Sequence, residues 1–195
     1  MAHRLDEKRI AALVAHGFEQ DELLRPKSAL EGEGATVDVV SPEVGTVRGW
    51  IHGEWGAVVA VDQPLDDIRV GDYDALLLPG GVMSPDRLRT VPAAVKLVRQ
   101  FFNEGKPIAV ICHASWLLVE ARVARGLKMT SWPSLKTDLV NAGARWVDVE
   151  VVVDRGIVSS RSPSDLPAFN KKMIEEFGER QQGASMKKQL VGARG

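Results

Sequence analysis

Gly105-Lys-Pro-Ile-Ala-Val-Ile-Cys-His113 is the stretch whose reading decides the fold. Its middle, Pro107 to Ile111, is continuously apolar and short, which suits a strand buried on both faces. The residues after it, Ala114 to Arg125, read as a helix ended by Gly126. Cys112 and His113 therefore sit where a strand hands over to a helix.

The same alternation continues outward. Toward the N-terminus, Pro92 to Glu104 is amphipathic and capped by Gly105, and Asp74 to Leu78 is a strand stopped by Pro79-Gly80-Gly81. Val47 to Ile51 and Ala57 to Val61 suit a hairpin around His52-Gly53-Glu54. Thr36 to Val40 is a β-branched strand, and Asp21 to Glu33 reads as a helix with a glycine stop. Ile10 to Ala15 suits a buried strand, although periodicity alone fits a helix fragment equally. Toward the C-terminus come an extended piece at Lys128 to Ser131 and a helix over Pro133 to Asn141. Glu150 to Val153 and Ile157 to Ser160 then pair across Asp154-Arg155-Gly156, and Leu166 to Phe177 is a last helix. Apolar strands alternating with helices imply a single α/β domain, with a mainly parallel sheet covered on both faces. The domain spans residues 10–178, between a solvated arm at 1–9 and a polar tail at 179–195.

Composition narrows the function. A net charge of -1 gives no basic excess for nucleic acid or an anionic membrane surface. No signal peptide or membrane span is visible, and a single cysteine excludes a disulfide framework within the chain. The expected compartment is the cytoplasm, where a lone thiol stays reduced.

Sites in open α/β sheets form at the carboxyl ends of the strands. The reactive residues there are His16 and Glu19, then Gly80, Gly81 and Asp86, then Cys112, His113 and Ser115. Two readings of Cys112 stand side by side. Free cysteines are mostly buried fillers. A thiol on a strand-to-helix turn, however, meets the positive end of the helix dipole, which would lower its pKa. Such a turn resembles the elbow that presents serine in hydrolases, and the N–H groups of Gly80 and Gly81 could hold an oxyanion. Taken alone, Glu19 and Asp86 read as ordinary helix-start residues. The four histidines show no metal spacing, and no phosphate loop or dinucleotide fingerprint is present, so no cofactor is expected. Trp116 and Trp132 follow Cys112 and could line a pocket.

Asp74-Ala-Leu-Leu-Leu-Pro-Gly-Gly81, Gly105-Lys-Pro-Ile-Ala-Val-Ile-Cys-His113 and Thr130-Ser-Trp-Pro-Ser-Leu-Lys136 together resemble the PfpI (DJ-one/ThiJ/PfpI) family. Asn141 to Asp148 and Val158 to Leu166 fit the same pattern. The resemblance implies a flavodoxin-like three-layer sandwich and a homodimer or larger assembly. It implies that Cys112 is the reactive residue and His113 its neighbour. It further implies that Glu19, in Phe18-Glu-Gln-Asp-Glu-Leu23, hydrogen-bonds the sulfur. In the peptidase-like branch, an acid matching Asp86 orients the histidine from a neighbouring subunit. The family usually continues Cys-His-Gly-Pro, whereas this chain has Ala114 and Ser115 there.

Three functions follow from the resemblance. The first is a stress-linked deglycase or glyoxalase in which Cys112 attacks reactive carbonyls or glycated substrates. The second is an intracellular cysteine peptidase using Cys112, His113 and Asp86. The third is a sensor that reports oxidation of Cys112.

Overall fold

Every position of Ala75–Leu78 and Ile108–Ile111 is apolar, so both faces need cover, and successive side chains enter two separate cores. The computed structural model describes residues 4–192, and side chains over 4–179. The first half comprises β1 (Arg9–Leu13), β2 (Phe18–Glu19), α1 (Gln20–Gly32), β3 (Thr36–Ser41), β4 (Thr46–Ile51), β5 (Glu54–Ala60) and β6 (Gln63–Pro64). Next come β7 (Ala75–Leu78), α2 (Met83–Leu88), α3 (Pro92–Asn103) and β8 (Ile108–Ile111). The rest is α4 (Ser115–Glu120), β9 (Lys128–Met129), α5 (Lys136–Asn141), β10 (Arg145–Trp146), β11 (Val151–Asp154), β12 (Ile157–Ser160) and α6 (Leu166–Gly192).

A seven-stranded sheet runs in the order β11-β12-β8-β7-β1-β3-β6. Only the β11–β12 pair is antiparallel; it turns at Arg155 and Gly156, both at positive φ (50° and 85°), as a two-residue hairpin requires. On one face Leu13, Leu76, Leu78 and Val110 pack against Leu88, Leu97, Phe101, Leu117 and Leu139 from α2 to α5. On the other, Ile10, Leu77 and Ile111 pack against Leu23 and Leu30 of α1 and Phe169 and Met173 of α6. Burying one such side chain stabilises the fold by about 1.5–3 kcal/mol. The result is a three-layer α/β sandwich in one domain.

Several boundaries differ from the sequence expectation. Helix α3 stops at a glycine as expected: Gly105 takes φ 68°, and the N–H groups of Lys106 and Gly105 reach the carbonyls of Phe101 and Phe102. Helix α4, expected to reach Arg125, ends at Glu120 by the same device built on arginine. Arg122 takes φ 59°, and the N–H groups of Val123 and Arg122 reach the carbonyls of Leu118 and Val119. A left-handed non-glycine residue costs about 1–2 kcal/mol, so a search for glycine stops passes over it. The expected solvated arm is anchored instead: Leu5 is fully buried and its N–H donates to the Glu33 carbonyl. Helix α6 runs past Phe177 to Gly192, so the backbone of the expected tail largely continues it; the side chains of 180–195 lie outside the described residues.

The expected hairpin is present as β4 and β5, in a separate three-stranded sheet with β2. Phe18 lies opposite Gly49 and Glu19 opposite Trp50 in the β2–β4 pairing, which brings the hairpin to the carboxyl end of β1. Among the described residues no helix is long and apolar enough to cross a membrane.

Candidate active site

Strand β8 ends in extended geometry at Ile111, and the chain then bends sharply. Cys112 takes φ 62°, and Cys112–Ala114 form a single 3-10 turn leading into α4. The left-handed conformation of a non-glycine residue is a local strain of about 1–2 kcal/mol held by the surrounding packing. Strand β7 ends beside this elbow in Pro79-Gly80-Gly81. A Cβ on Gly80 would stand 2.4 Å from Glu22 Oε2 and 2.7 Å from both Cys112 Cβ and the Ile111 carbonyl oxygen. Only glycine permits that approach.

The carboxyl that meets the thiol belongs to Glu22. Glu22 follows the last residue of β2 by one helical turn and shares the buried face of α1 with Leu23, Pro26 and Leu30. It is completely buried; Oε2 accepts the Gly80 N–H at 2.9 Å, and Oε1 has no hydrogen-bond partner among the described residues. Burial, and then the nearby charge of Glu19, push its pKa up to about 8. At pH 7 Glu22 is therefore a neutral acid, able to donate a proton toward the sulfur.

Cys112 is 6% exposed. Burial raises its pKa, and ionised Glu22 would raise it further; the N–H groups of His113 and Gly81 point at the sulfur and favour the anion. The lowering expected from a helix dipole does not dominate here, because desolvation is the larger effect. A neutral Glu22 removes the repulsive contribution, so the two protonation states are coupled. His113 Nδ1 stands 3.1 Å from Sγ. The imidazole stacks on Trp132, with ring centroids 5.8 Å apart and planes at 25°, and its pKa is lowered by burial.

Four expected placements are corrected by these contacts. Glu19 precedes α1 and lines the cavity, but the place against the sulfur belongs to Glu22. Helical geometry turns residue 22 inward, while Glu19 is half-buried, its pKa raised by burial and then by Asp21. The Gly80 N–H is engaged by Glu22, which leaves Gly81 as the loop donor facing the sulfur. Within one chain Asp86 pairs with Arg89 at 2.7 Å and lines a different cavity, beside Thr90 and Lys96. Trp116 touches the His113 ring but does not wall the pocket. Its indole N–H donates to Asp138, and Arg89 lies over its ring.

The sulfur opens into a cavity of about 540 Å³ lined by Glu19, Glu22, Trp50, Gly81, Val82, Met83, Cys112, His113, Trp132 and Pro163. Of these, sequence reasoning missed Glu22, Trp50, Val82, Met83 and Pro163. A charged residue on the apolar stripe of a helix was the available signal for Glu22. Trp50 had none, since its position depends on the hairpin folding back over the sheet. No three His, Cys, Asp or Glu side chains cluster as a metal site among the described residues.

Comparison with known proteins identifies the family of the chain. The sequence pattern described as the DJ-1/PfpI family matches residues 8–176. Deglycase PH1704 of Pyrococcus horikoshii is 44% identical over 167 residues, covering 86% of this chain and 98% of that protein. General stress protein 18 of Bacillus subtilis is 40% identical over 169 residues, covering 86% of this chain and 96% of that protein. The crystal structure of Drosophila melanogaster DJ-1beta superposes with a TM-score of 0.79 at 28% identity, covering 94% of this chain and 97% of that one.

Proposed function

The chain belongs to the DJ-1/PfpI family, and from that premise we propose that it is a cysteine-dependent hydrolase of the deglycase type. Its substrates are reactive 2-oxoaldehydes and the adducts they form on amines. The observation that carries this reading is the buried Glu22 carboxyl, held by Gly80 with its second oxygen unpartnered, facing the thiol of a strained elbow. The names of the Pyrococcus and Bacillus relatives, a deglycase and a general stress protein, point the same way.

In the proposed chemistry the sulfur of Cys112 adds to the aldehyde carbon, forming a C–S bond, and the thiol proton passes to the Glu22 carboxyl as that group gives up its own. The carbonyl oxygen takes a proton, which Glu22 is placed to give. A proton then leaves the former aldehyde carbon and returns on the neighbouring carbon, so the adduct becomes a thioester. His113 is close enough to the sulfur to carry that proton. Water cleaves the C–S bond, releases a 2-hydroxy acid and restores the thiol. The sum is oxoaldehyde plus water, with no external oxidant or reductant. On an amine adduct, loss of the amine regenerates the free carbonyl and the same sequence follows.

The same thiol would gain two oxygens under peroxide, and the unpartnered Glu22 oxygen suits a donor to the resulting sulfinate, so a sensing role is compatible. A peptidase triad needs a carboxylate behind His113, and in one chain Asp86 is held by Arg89 instead. We further propose a cytoplasmic homodimer or larger homo-oligomer, supported by Trp55 and Val58, which leave β5 an exposed apolar face. Cys112→Ser should abolish methylglyoxal loss and lactate formation, and Glu22→Gln should slow both by about 100-fold. Undiminished turnover in Cys112→Ser would refute the reading.

A further inference from the structure

We propose that this site selects neutral 2-oxoaldehydes bearing a bulky apolar or aromatic substituent over three-carbon methylglyoxal, and rejects those bearing a negative charge. The inference rests on the carbonyl chemistry proposed above. A cavity of about 540 Å³ falls within the roughly 300–1,000 Å³ that takes drug-sized ligands. The aldehyde group needs only the corner formed by Cys112, Glu22, His113 and Gly81. The remaining space is walled by Trp50, Trp132, Val82, Met83 and Pro163.

These walls stay open to solvent despite their apolar character. Val82 is 54% exposed, Trp132 41% and Met83 39%. Two of them are fixed from behind: Trp132 by stacking on His113, and Trp50 by an edge-to-face contact with Trp55 at 5.3 Å. Rigid aromatic walls bind a flat apolar group at little cost in side-chain entropy. A substituent lying between them would cover apolar surface that methylglyoxal leaves wet, which favours the larger substrate.

Charge acts in the same direction. The cavity lining includes two carboxyl side chains, Glu19 and Glu22, and neither lysine nor arginine. A carboxylate or phosphate on the substrate would enter without a counter-charge, beside Glu19. A neutral ring would meet no such penalty. The reaction keeps its balance: phenylglyoxal plus water gives mandelate, by the same addition, proton shift and hydrolysis at Cys112.

The test compares kcat/KM of the full chain for methylglyoxal, phenylglyoxal and 4-carboxyphenylglyoxal. Phenylglyoxal should exceed methylglyoxal by about 10-fold, and the carboxylated ring should lose that advantage. Trp50→Leu and Trp132→Leu should each lower the phenylglyoxal-to-methylglyoxal ratio. Equal or reversed constants in active protein, or ratios unmoved in both variants, would overturn the inference while leaving the carbonyl chemistry intact. If the protein consumes none of the three aldehydes, the proposed reaction fails, and binding then decides the inference separately. In Cys112→Ser, ligand-observed NMR should find acetophenone bound about 10-fold more tightly than acetone, and equal binding would overturn the selection by the walls.

Discussion

Replacing Glu22 by glutamine gives a stability change whose sign and size follow from burial alone. The carboxyl of Glu22 is raised from 4.5 to about 8 in the folded protein, chiefly by burial. Between those values the native state holds a proton that the unfolded state has lost. Stability from this group is thus fully present below pH 4.5 and is lost as pH rises toward 8. The slope is about 1.4 kcal/mol per pH unit, so the wild type should lose about 3 kcal/mol from this group between pH 5 and pH 7. Glutamine keeps an oxygen for the Gly80 N–H and has no proton to lose. Equilibrium urea unfolding of wild type and Glu22→Gln at both pH values isolates the effect, since other titrations cancel in the difference. The variant should gain on the wild type by about 3 kcal/mol across the interval. The same pair of proteins carrying Cys112→Ser removes the thiol from the coupled titration. A difference that does not change with pH would refute the claim that Glu22 is held as a neutral acid.

Two other substitutions probe the elbow. Gly80→Ala places a methyl group 2.4 Å from Glu22 Oε2 and 2.7 Å from Cys112 Cβ, so thermal or urea unfolding should show a loss of about 1–3 kcal/mol, with turnover reduced as well. Cys112→Gly should be more stable than Cys112→Ala by about 1 kcal/mol, because glycine accepts the φ of 62° without strain. The opposite order would mean that the elbow is not strained.

The layered fold was legible because its signal is local. Pro107–Ile111 and Ala75–Leu78 are apolar at every position, and that pattern has few uses other than a strand covered on both faces. The hairpin was legible as two runs, Val47–Ile51 and Ala57–Val61, about His52-Gly53-Glu54, but its folding back over the sheet was not. What escaped depends on geometry rather than composition. Arg122 ends α4 in a conformation that residue identity does not advertise. Glu19 and Glu22 are both glutamates near one helix start, and only the register of α1 puts the second beneath Gly80. Cys112 was visible as a thiol at a strand end, but its depressed pKa was expected from a helix dipole acting alone. The buried setting reverses that balance and moves the interest to the proton on Glu22.

The central claim is that turnover passes through the sulfur of Cys112, and the chain offers a clean titration of it because it has one cysteine. The protein is alkylated by iodoacetamide to graded extents, the modified fraction is read by intact mass, and methylglyoxal consumption is measured on the same samples. Activity should fall in direct proportion to the alkylated fraction and reach background at one adduct per chain. Full alkylation with turnover retained would contradict the account.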